Sequence, residues 1–434
     1  MRAASPGSWQ GRERLVVAGA AALAVGCTLF GLLYERSGRV LGTALPPFVA
    51  GWAPRADVLW LVAAAAAAAL LVALAPRLLR AGDRAYAAGV TMLGLAVALS
   101  VSAVRGGSDA WWAVLDPARG EGRNEYLAGL GATEYGARFL LDRFAELVPS
   151  LPPHPAAHPP GLLLLVDATG LTTPGRLAAL LLGAVALLGP LTWWLARRLG
   201  LPGERARLAG LLTAASPCVV LFGATSADAL FAALAVVAAA LLAGPSWVAR
   251  AAGAAALAVA ALFAWSLLAV GAWAVVLGWR REGLARAAVT GAACAVAVLA
   301  LQGALAAAMG YDPVGTLEAT ERAYRDSLAQ VRPYWFWWLG SPVAWAVTAG
   351  PVLVAGALVA ALRGHAPAVA IAAVVVTAAV LGFSKAETER IWLPFVPLAA
   401  VAAAQVLPPG RVRLWLGTLL VQGLVTQALF STVW

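Results

Sequence analysis

The sequence predicts an all-α membrane protein, a polytopic bundle of about twelve or thirteen transmembrane helices. Of its 434 residues, 62% are hydrophobic and only 12% are charged. A soluble globular chain has roughly 25% charged residues, so this chain has too few charges to cover a surface that faces water. Most of the outer surface must therefore face lipid. The same composition excludes a disordered chain, a coiled coil and a nucleic-acid-binding protein, although the formal net charge is +10.

Apolar runs that are long enough to cross a bilayer recur along the chain, since about 20 helical residues span the hydrocarbon core. These runs lie at residues 15–34, 57–75, 85–104, 175–196, 207–223, 227–244, 287–309, 341–362, 367–383, 391–407 and 412–432. One further stretch, 251–279, is too long for one untilted span and too short for two complete ones. We expect a hairpin of two short helices there, with its tip at Trp265-Ser266; a single span is the alternative.

The distribution of arginines in the loops predicts the orientation, because basic residues concentrate on the cytoplasmic side of membrane proteins. Arg2, Arg12 and Arg14 place the N-terminus in the cytoplasm. The compact, arginine-rich loops 77–84 and 197–207 fall on the same side. We therefore expect a multi-pass protein of the cell membrane.

Three parts follow from this arrangement: the N-terminal helices 1–104, the loop 105–160 and the remaining bundle 161–434. The loop is the largest polar segment and lies on the extracytoplasmic side, so it has the most room for chemistry. We expect the shorter loops 310–340 and 384–390 on that side too. Arginine counts do not decide the orientation after residue 251, and this last placement depends on a resemblance described below.

Two acidic residues of loop 105–160 are candidates for a general base. Asp109 and Glu125 lie near the membrane, and a carboxylate within reach of a hydroxyl group can accept its proton. Tyr126 follows Glu125 directly and is a candidate for substrate binding. The alternative is that both carboxylates are simply solvated, as loop acids usually are.

The second half of the loop predicts an amphipathic helix over about residues 134–148. Leu140, Phe144 and Leu147 fall on one face of this helix, and charged side chains fall on the other. A helix of this kind typically lies along the membrane surface.

A proline-rich turn, His154–Gly161, precedes the next apolar run. Its histidines, His154 and His158, are four residues apart, a spacing that can bind zinc on a helix. The prolines forbid a regular helix, so we expect no metal site. We expect instead that the turn brings the imidazoles to a phosphate or a sugar at the membrane surface. The alternative is a purely structural entry to the next helix.

The segment Thr225–Asp228 comes immediately before another predicted helix. A serine or aspartate at a helix start satisfies free backbone N–H groups, which explains most of this motif. Asp228 nevertheless falls at the end of two apolar spans, where an acid is costly unless it is paired or used. It is therefore a further candidate for substrate binding.

The densest charge cluster between two apolar spans is Ser384–Trp392. It contains Lys385, Glu387, Glu389 and Arg390. Cations at a membrane surface can bind a lipid phosphate, and the guanidinium of Arg390 can donate two parallel hydrogen bonds to it. We expect Glu387 and Glu389 to orient the two cations. The alternative is a solvated connector with internal ion pairs.

Together these motifs resemble the GT-C superfamily of polytopic membrane glycosyltransferases, and most of all its actinobacterial members. Those proteins have an acidic pair followed by Tyr-Leu, a His-x-x-x-His-Pro-Pro-Gly turn, a Ser-Ala-Asp element and a late Glu-x-Glu-Arg-Ile-Trp-Leu-Pro-Phe signature. The corresponding segments here are Asn124–Leu127, His154–Gly161, Ser226–Asp228 and Glu387–Phe395. The resemblance covers roughly residues 100–400. It departs from the superfamily where Asn124 replaces the first acid, and where three predicted spans precede the acidic loop instead of one.

The resemblance implies an inverting hexosyl- or pentosyltransferase that acts on the extracytoplasmic face. Its donor would be a sugar linked to polyprenyl phosphate, and its acceptor a cell-envelope glycan or glycolipid. The chain has neither a glycine-rich dinucleotide motif nor a P-loop, which fits a lipid-carried donor. We expect membrane lipid as a further partner, no nucleic acid and no cofactor; a requirement for a divalent metal is left open.

Two other functions are compatible with the sequence. A transporter or a lipid-linked-sugar flippase also has about a dozen spans, and broken helices like that expected at 251–279 occur in transporters. Transporters carry ionisable residues near the middle of the membrane, whereas the charges here concentrate in loops on one face. The third candidate is a non-catalytic scaffold of cell-envelope synthesis, an enzyme relative that has lost its base.

Overall fold

The computed structural model of the protein describes residues 9–432, and nearly all of its regular structure is helical. The α-helices are α1 (Gly11–Arg36), α2 (Val58–Arg80), α3 (Asp83–Gly106), α4 (Gly136–Leu147), α5 (Pro153–Ala156), α6 (Gly161–Thr169), α7 (Pro174–Arg198), α8 (Gly203–Ala215), α9 (Pro217–Phe222), α10 (Asp228–Leu242), α11 (Trp247–Ala261), α12 (Leu268–Glu282), α13 (Leu284–Met309), α14 (Pro313–Asp326), α15 (Tyr334–Ala349), α16 (Pro351–Leu362), α17 (Ala366–Leu381), α18 (Thr388–Ile391), α19 (Val396–Ala404) and α20 (Val412–Leu429). Within the described range two short strands, β1 (Ala50–Trp52) and β2 (Phe430–Thr432), pair antiparallel. The predicted all-α class is confirmed.

Short 3₁₀ turns connect many of these helices. They lie at Gly107–Trp111, Ala113–Leu115, Gly120–Asn124, Tyr126–Thr133, Val148–Ser150, Trp265–Leu267, Leu328–Val331, Leu393–Phe395 and Pro409–Arg411. Four of them precede α4, so the first half of loop 105–160 is a chain of tight turns.

Six helices in the described part of the chain are long and apolar enough to cross a membrane, as a multi-pass membrane protein requires. They are Gly11–Arg36, Val58–Arg80, Asp83–Trp111, Pro174–Arg198, Leu284–Met309 and Pro409–Leu429. A seventh candidate is the pair α15 and α16, which is bent by 113°. The helices α10, α11 and α17 are apolar but shorter. This is fewer than the twelve or thirteen full spans that the sequence predicts, because several of the predicted spans are short or broken.

One broken span is the predicted run 207–223, which consists of α8 and α9. The break lies at Ser216, where the following Pro217 has no N–H group to continue the helical hydrogen bonds. The hydroxyl of Ser216 donates to the carbonyl of Ala349 at 2.8 Å, and this contact joins the break to the bend between α15 and α16. Two interrupted helices therefore meet inside the bundle.

The predicted run 391–407 is also not a continuous span. Its longest helix is α19, which has nine residues, and the side chains of α19 are all buried. The stretch 251–279, by contrast, is broken where we expected, because α11 ends at Ala261 and α12 begins at Leu268 after a 3₁₀ turn.

The centre of the bundle is formed by α10 and α19, in which most side chains are buried alanine, valine or leucine. A helix that is apolar on all sides belongs in the interior, and small side chains let neighbouring helices approach closely. Each central helix has a charged residue at its start or shortly before it. Asp228 begins α10, and Arg390 lies in α18, just before α19.

The three loops that we expected on one side do lie at one end of the bundle. Helix α4, from loop 105–160, packs against α14, which lies in loop 310–340. Arg332 of the second loop donates to the carbonyl of Lys385 in the third at 3.0 Å. The amphipathic pattern of α4 is confirmed, with Leu140 and Phe144 buried; its position along a membrane surface stays a prediction.

The arginine-rich loops meet at the other end. Arg207 pairs with Asp83 at 2.7 Å, and Arg281 donates to the carbonyl of Leu199 at the same distance. Asp83 begins α3, and loop 105–160 follows the far end of that helix. The two groups of loops are therefore separated by the length of a long helix.

Candidate functional site

Four segments that are far apart in the sequence meet where α10 begins. They contribute Glu125 and Tyr126, His154 and His158, Ser226 and Asp228, and Glu387 and Arg390. These are the segments on which the resemblance was based. We call this group of eight residues the buried cluster.

The centre of the buried cluster is an ion pair between two buried side chains. Nη1 of Arg390 lies 2.7 Å from Oδ2 of Asp228, and the two side chains are only 7% and 5% exposed. The hydroxyl of Ser226 donates to Oδ2 of Asp228 at 2.5 Å and accepts from the Asp228 N–H at 3.0 Å. The start of α10 also favours a carboxylate, because its free N–H groups carry partial positive charge. Each charge of the pair therefore depends on the other in a place that excludes water.

Glu387 joins this pair to a second arginine. Its two carboxylate oxygens lie 3.4 Å from Nη2 of Arg390 and 3.2 Å from Nη1 of Arg332. Glu387 and the preceding Ala386 have φ angles of 60° and 66°, in the left-handed region that residues with side chains rarely occupy. Backbone strain of this kind persists only where surrounding contacts hold it, and the two arginines supply such contacts.

The late loop is therefore not a solvated connector, and its residues have different surroundings. Glu387 contacts Arg390, whereas Oε1 of Glu389 accepts the N–H of Val49 at 2.6 Å. Burial raises the pKa of Glu389 to about 7. Lys385 lies at the edge, with its ammonium 3.3 Å from the carbonyl of Ala329.

Two carboxylates flank the imidazole of His154. Its Nε2 lies 3.7 Å from Oε1 of Glu125 and 3.7 Å from Oε1 of Glu121. The side chain of Glu125 is 2% exposed, its Oε1 has no hydrogen-bond partner, and burial raises its pKa. The side chain of Glu121 is 25% exposed and accepts a hydrogen bond from Nδ2 of Asn124 at 2.9 Å. Hydrogen bonding by His154, and then by Asn124, lowers the pKa of Glu121.

His158 is not paired with His154. Its ring lies between Tyr126 and Phe231, with centroid distances of 6.4 Å and 5.4 Å. Burial lowers the pKa of His158 to about 4, so its imidazole is neutral at physiological pH. The hydroxyl of Tyr126 is buried without a hydrogen-bond partner.

The prolines around His154 allow only a single helical turn, so no regular helix carries both His154 and His158. Pro153–Ala156 forms the single turn α5, because proline is tolerated in the first turn of a helix, where its missing N–H is not needed. His158 follows after this turn has ended.

Asp109, the other predicted base, lies outside the buried cluster. Its side chain is 55% exposed and pairs with Nη1 of Arg119 at 3.1 Å. Arg119 also contacts Asp116 at 3.3 Å, and its guanidinium covers the ring of Trp112 at 4.5 Å. Of the two predicted bases, only Glu125 therefore belongs to the group formed by the other motifs.

A cleft of about 300 Å³ lies beside the buried cluster. Its walls include Arg105, Arg119, Glu121, Thr225 and Gln427. Glu121 therefore lines the cleft and also contacts His154. Thr225 leads directly into the Ser226–Asp228 segment.

Comparison with protein-family models, curated proteins and solved structures gives no match. The likeness to GT-C enzymes therefore depends on the motifs and their order. Among residues 9–432, no three His, Cys, Asp or Glu side chains are grouped so that they could hold a metal ion.

Proposed function

We propose that this protein is a membrane glycosyltransferase that moves a sugar from a polyprenyl-phosphate donor to a hydroxyl group of a cell-envelope glycan or lipid. The observation that supports this best is the meeting of the four motif segments around the buried Asp228–Arg390 pair. Burying an ion pair is energetically costly, and groups of perturbed, buried ionisable residues in membrane proteins typically mark functional sites. The motif order shared with GT-C enzymes supports the same function.

The residues present fit the chemistry of such a transfer. The acceptor oxygen attacks the anomeric carbon and loses its proton to a carboxylate beside His154, with inversion at that carbon. The electron pair of the broken C–O bond leaves with the phosphate, which gains negative charge. Arg390 and Lys385 belong to the late loop and Arg332 contacts it, and cations stabilise such a leaving group.

The structure changes the role that we propose for Arg390. The sequence suggested two parallel hydrogen bonds from its guanidinium to the donor phosphate. Because Asp228 and Glu387 already bind that guanidinium, we now assign Arg390 to orienting Asp228 and to electrostatic support at longer range. A direct phosphate contact from this loop then falls to Lys385 at its edge.

A transporter or lipid-sugar flippase is the second candidate, and one observation favours it. Two broken helices meet where the Ser216 hydroxyl donates to the Ala349 carbonyl, and interrupted helices of this kind form the binding sites of many transporters. That contact involves no charged side chain, and the ionisable residues gather at the end of the bundle. We therefore rank this function second.

The deciding experiment uses the purified protein in lipid nanodiscs with radiolabelled polyprenyl-phosphate sugars and a membrane extract as acceptor. We expect the label to move to the acceptor with release of polyprenyl phosphate. The matched control is Glu146→Gln, a change on the exposed face of α4, which should leave transfer intact. If no donor is cleaved, yet a labelled lipid crosses the bilayer of proteoliposomes, the protein is a transporter.

We further propose that the N-terminus is cytoplasmic and that the buried cluster lies at the extracytoplasmic end. Ser108 and Ser150 are exposed, whereas Cys27, Cys218 and Cys294 are buried and should not interfere with labelling. Ser108→Cys and Ser150→Cys should react with an impermeant maleimide in intact cells. A cysteine at the exposed Glu204 in the arginine-rich loop should react only after lysis, and the reverse pattern would invert the topology.

A further inference from the structure

We propose that Glu121 accepts the proton of the acceptor hydroxyl, and that the cleft beside it receives a sugar unit of the acceptor. This inference rests on the proposed transferase function. It replaces the earlier choice between Glu125 and Asp109 as the base.

Access separates Glu121 from the other acids. A general base must come within about 2.6–3.2 Å of the hydroxyl oxygen whose proton it takes. Glu121 forms part of the wall of the cleft and has 25% of its side chain exposed, whereas the side chain of Glu125 is 2% exposed. Asp109 is open to solvent but is paired with Arg119. Glu121 therefore meets both conditions: a substrate in the cleft can reach it, and it lies next to the buried cluster.

A second observation in the cleft points to a polyhydroxylated ligand. Gln427 lines the cleft and is only 5% exposed, and its amide oxygen has no hydrogen-bond partner. A buried acceptor of this kind is costly unless a donor reaches it, and a sugar hydroxyl is such a donor. Arg105 and Arg119 line the same cleft, and a guanidinium has several N–H groups that can donate to sugar oxygens. A volume of about 300 Å³ is at the lower end of the range for small-molecule sites, which fits one sugar unit.

The surroundings of the two glutamates push their protonation in opposite directions. Hydrogen bonding by His154 and Asn124 lowers the pKa of Glu121 and keeps it ionised, so it can accept a proton. Burial raises the pKa of Glu125, which favours its protonated form. A pair of acids whose pKa values are driven apart is a common arrangement for acid–base work. His154 and Glu125 then act as positioning residues behind Glu121.

The proposed step is balanced within the site. The acceptor oxygen forms a bond to the anomeric carbon, and its proton moves to the carboxylate of Glu121. The bond between that carbon and the phosphate oxygen breaks, and its electron pair leaves with polyprenyl phosphate. Glu121 then returns the proton to water through the cleft.

The test measures kcat and KM for acceptor and donor in Glu121→Gln, Glu125→Gln and Asp109→Asn, with Glu146→Gln as the matched surface control. We expect Glu121→Gln to lower kcat by about 10²–10⁴-fold while the KM for the donor stays near wild type. Glutamine keeps an oxygen that can accept from Asn124, so this variant should fold. Formate, a small base that can enter the cleft, should restore part of the activity of Glu121→Ala. It should restore none in Glu125→Ala, because the position of the lost Glu125 carboxylate is not open to the cleft.

Three results would count against this assignment. If the wild type transfers sugar and Glu121→Gln does so at the same rate, the base is another residue and only this inference fails. Loss of transfer in Glu125→Gln alone would return the base to Glu125. If the wild type transfers no sugar from any donor, the proposed function fails and Glu121 loses this role with it.

Discussion

Two ion pairs of this protein have the same chemistry but very different surroundings. At the surface, Asp109 binds Arg119 at 3.1 Å, with side chains 55% and 48% exposed. In the interior, Asp228 binds Arg390 at 2.7 Å, with side chains 5% and 7% exposed. Water screens the outer pair, whereas each member of the inner pair would be left as an isolated buried charge without its partner. Burial, more than residue type, therefore decides how much each ion pair contributes to stability.

The largest expected effect comes from breaking the inner pair. Replacing one member of a buried pair typically costs about 3–5 kcal/mol, because the other charge stays buried and unpaired. Arg390→Gln and Asp228→Asn should each strongly lower the melting temperature in detergent, and Arg390→Lys should lower it less.

The double variant Asp228→Asn/Arg390→Gln provides the control for this first prediction. It removes both charges and should be more stable than the sum of the two single losses implies. Simple additivity of the two losses would mean that the pair is not coupled as the 2.7 Å contact indicates.

An intermediate effect should appear as a pH dependence through Glu389. The pKa of Glu389 is about 7, above the ordinary value of 4.5. Between these two pH values, the folded state holds a proton that the unfolded state has lost. The stability that this proton provides is fully present below about pH 4.5 and is lost as the pH rises through 7. Each unit of such a shift corresponds to about 1.4 kcal/mol.

Glu389→Gln should therefore flatten the fall in melting temperature between pH 5 and pH 8. The variant should also be more stable than wild type at pH 8, where wild-type Glu389 must be ionised in the interior. An unchanged pH profile would show that another group is responsible for the fall.

The smallest effect should come from the outer pair. Asp109→Asn removes an exposed ion pair, and such pairs contribute less than about 1 kcal/mol. Its melting temperature and transfer rate should stay close to wild type, and 0.5 M salt should remove any difference that is seen. A loss as large as that of Asp228→Asn would mean that exposure is a poor guide to importance in this protein.

The long apolar helices could be predicted because their hydropathy is continuous over the length that a membrane requires. The broken ones could not, because a hydropathy average passes over an interruption of one or two residues. The run 341–362 stays apolar through Gly350 and Pro351, yet the chain turns there by 113°. The run 391–407 is as apolar as a membrane span, but α19 is a short helix in the core. Composition alone does not distinguish lipid from protein as the surrounding medium.

The candidate site could be predicted in part, because a local sequence pattern is visible for some of its residues. Glu125, His154, Asp228 and Arg390 belong to compact motifs, and the structure brings them together. Glu121 lies four residues before Glu125, a spacing that was a usable signal for a second acid at the same place.

Arg332, which contacts the buried cluster through Glu387, had no such signal. It lies in a different loop from Glu387, and its role follows only from the tertiary contact between the two. Residues that act through long-range packing cannot be recognised from one sequence.

The short β1–β2 pair has a consequence for the order in which the protein folds. Ala50 pairs with Thr432, and the neighbouring Val49 supplies the N–H that Glu389 accepts. Val49 is made long before β2, so the β1–β2 pair can close only after α20 has been made. We therefore expect a nascent chain to enter the membrane with Glu389 still lacking its donor. The contact between Val49 and Glu389 would then form in a single late step, after α20 has been inserted.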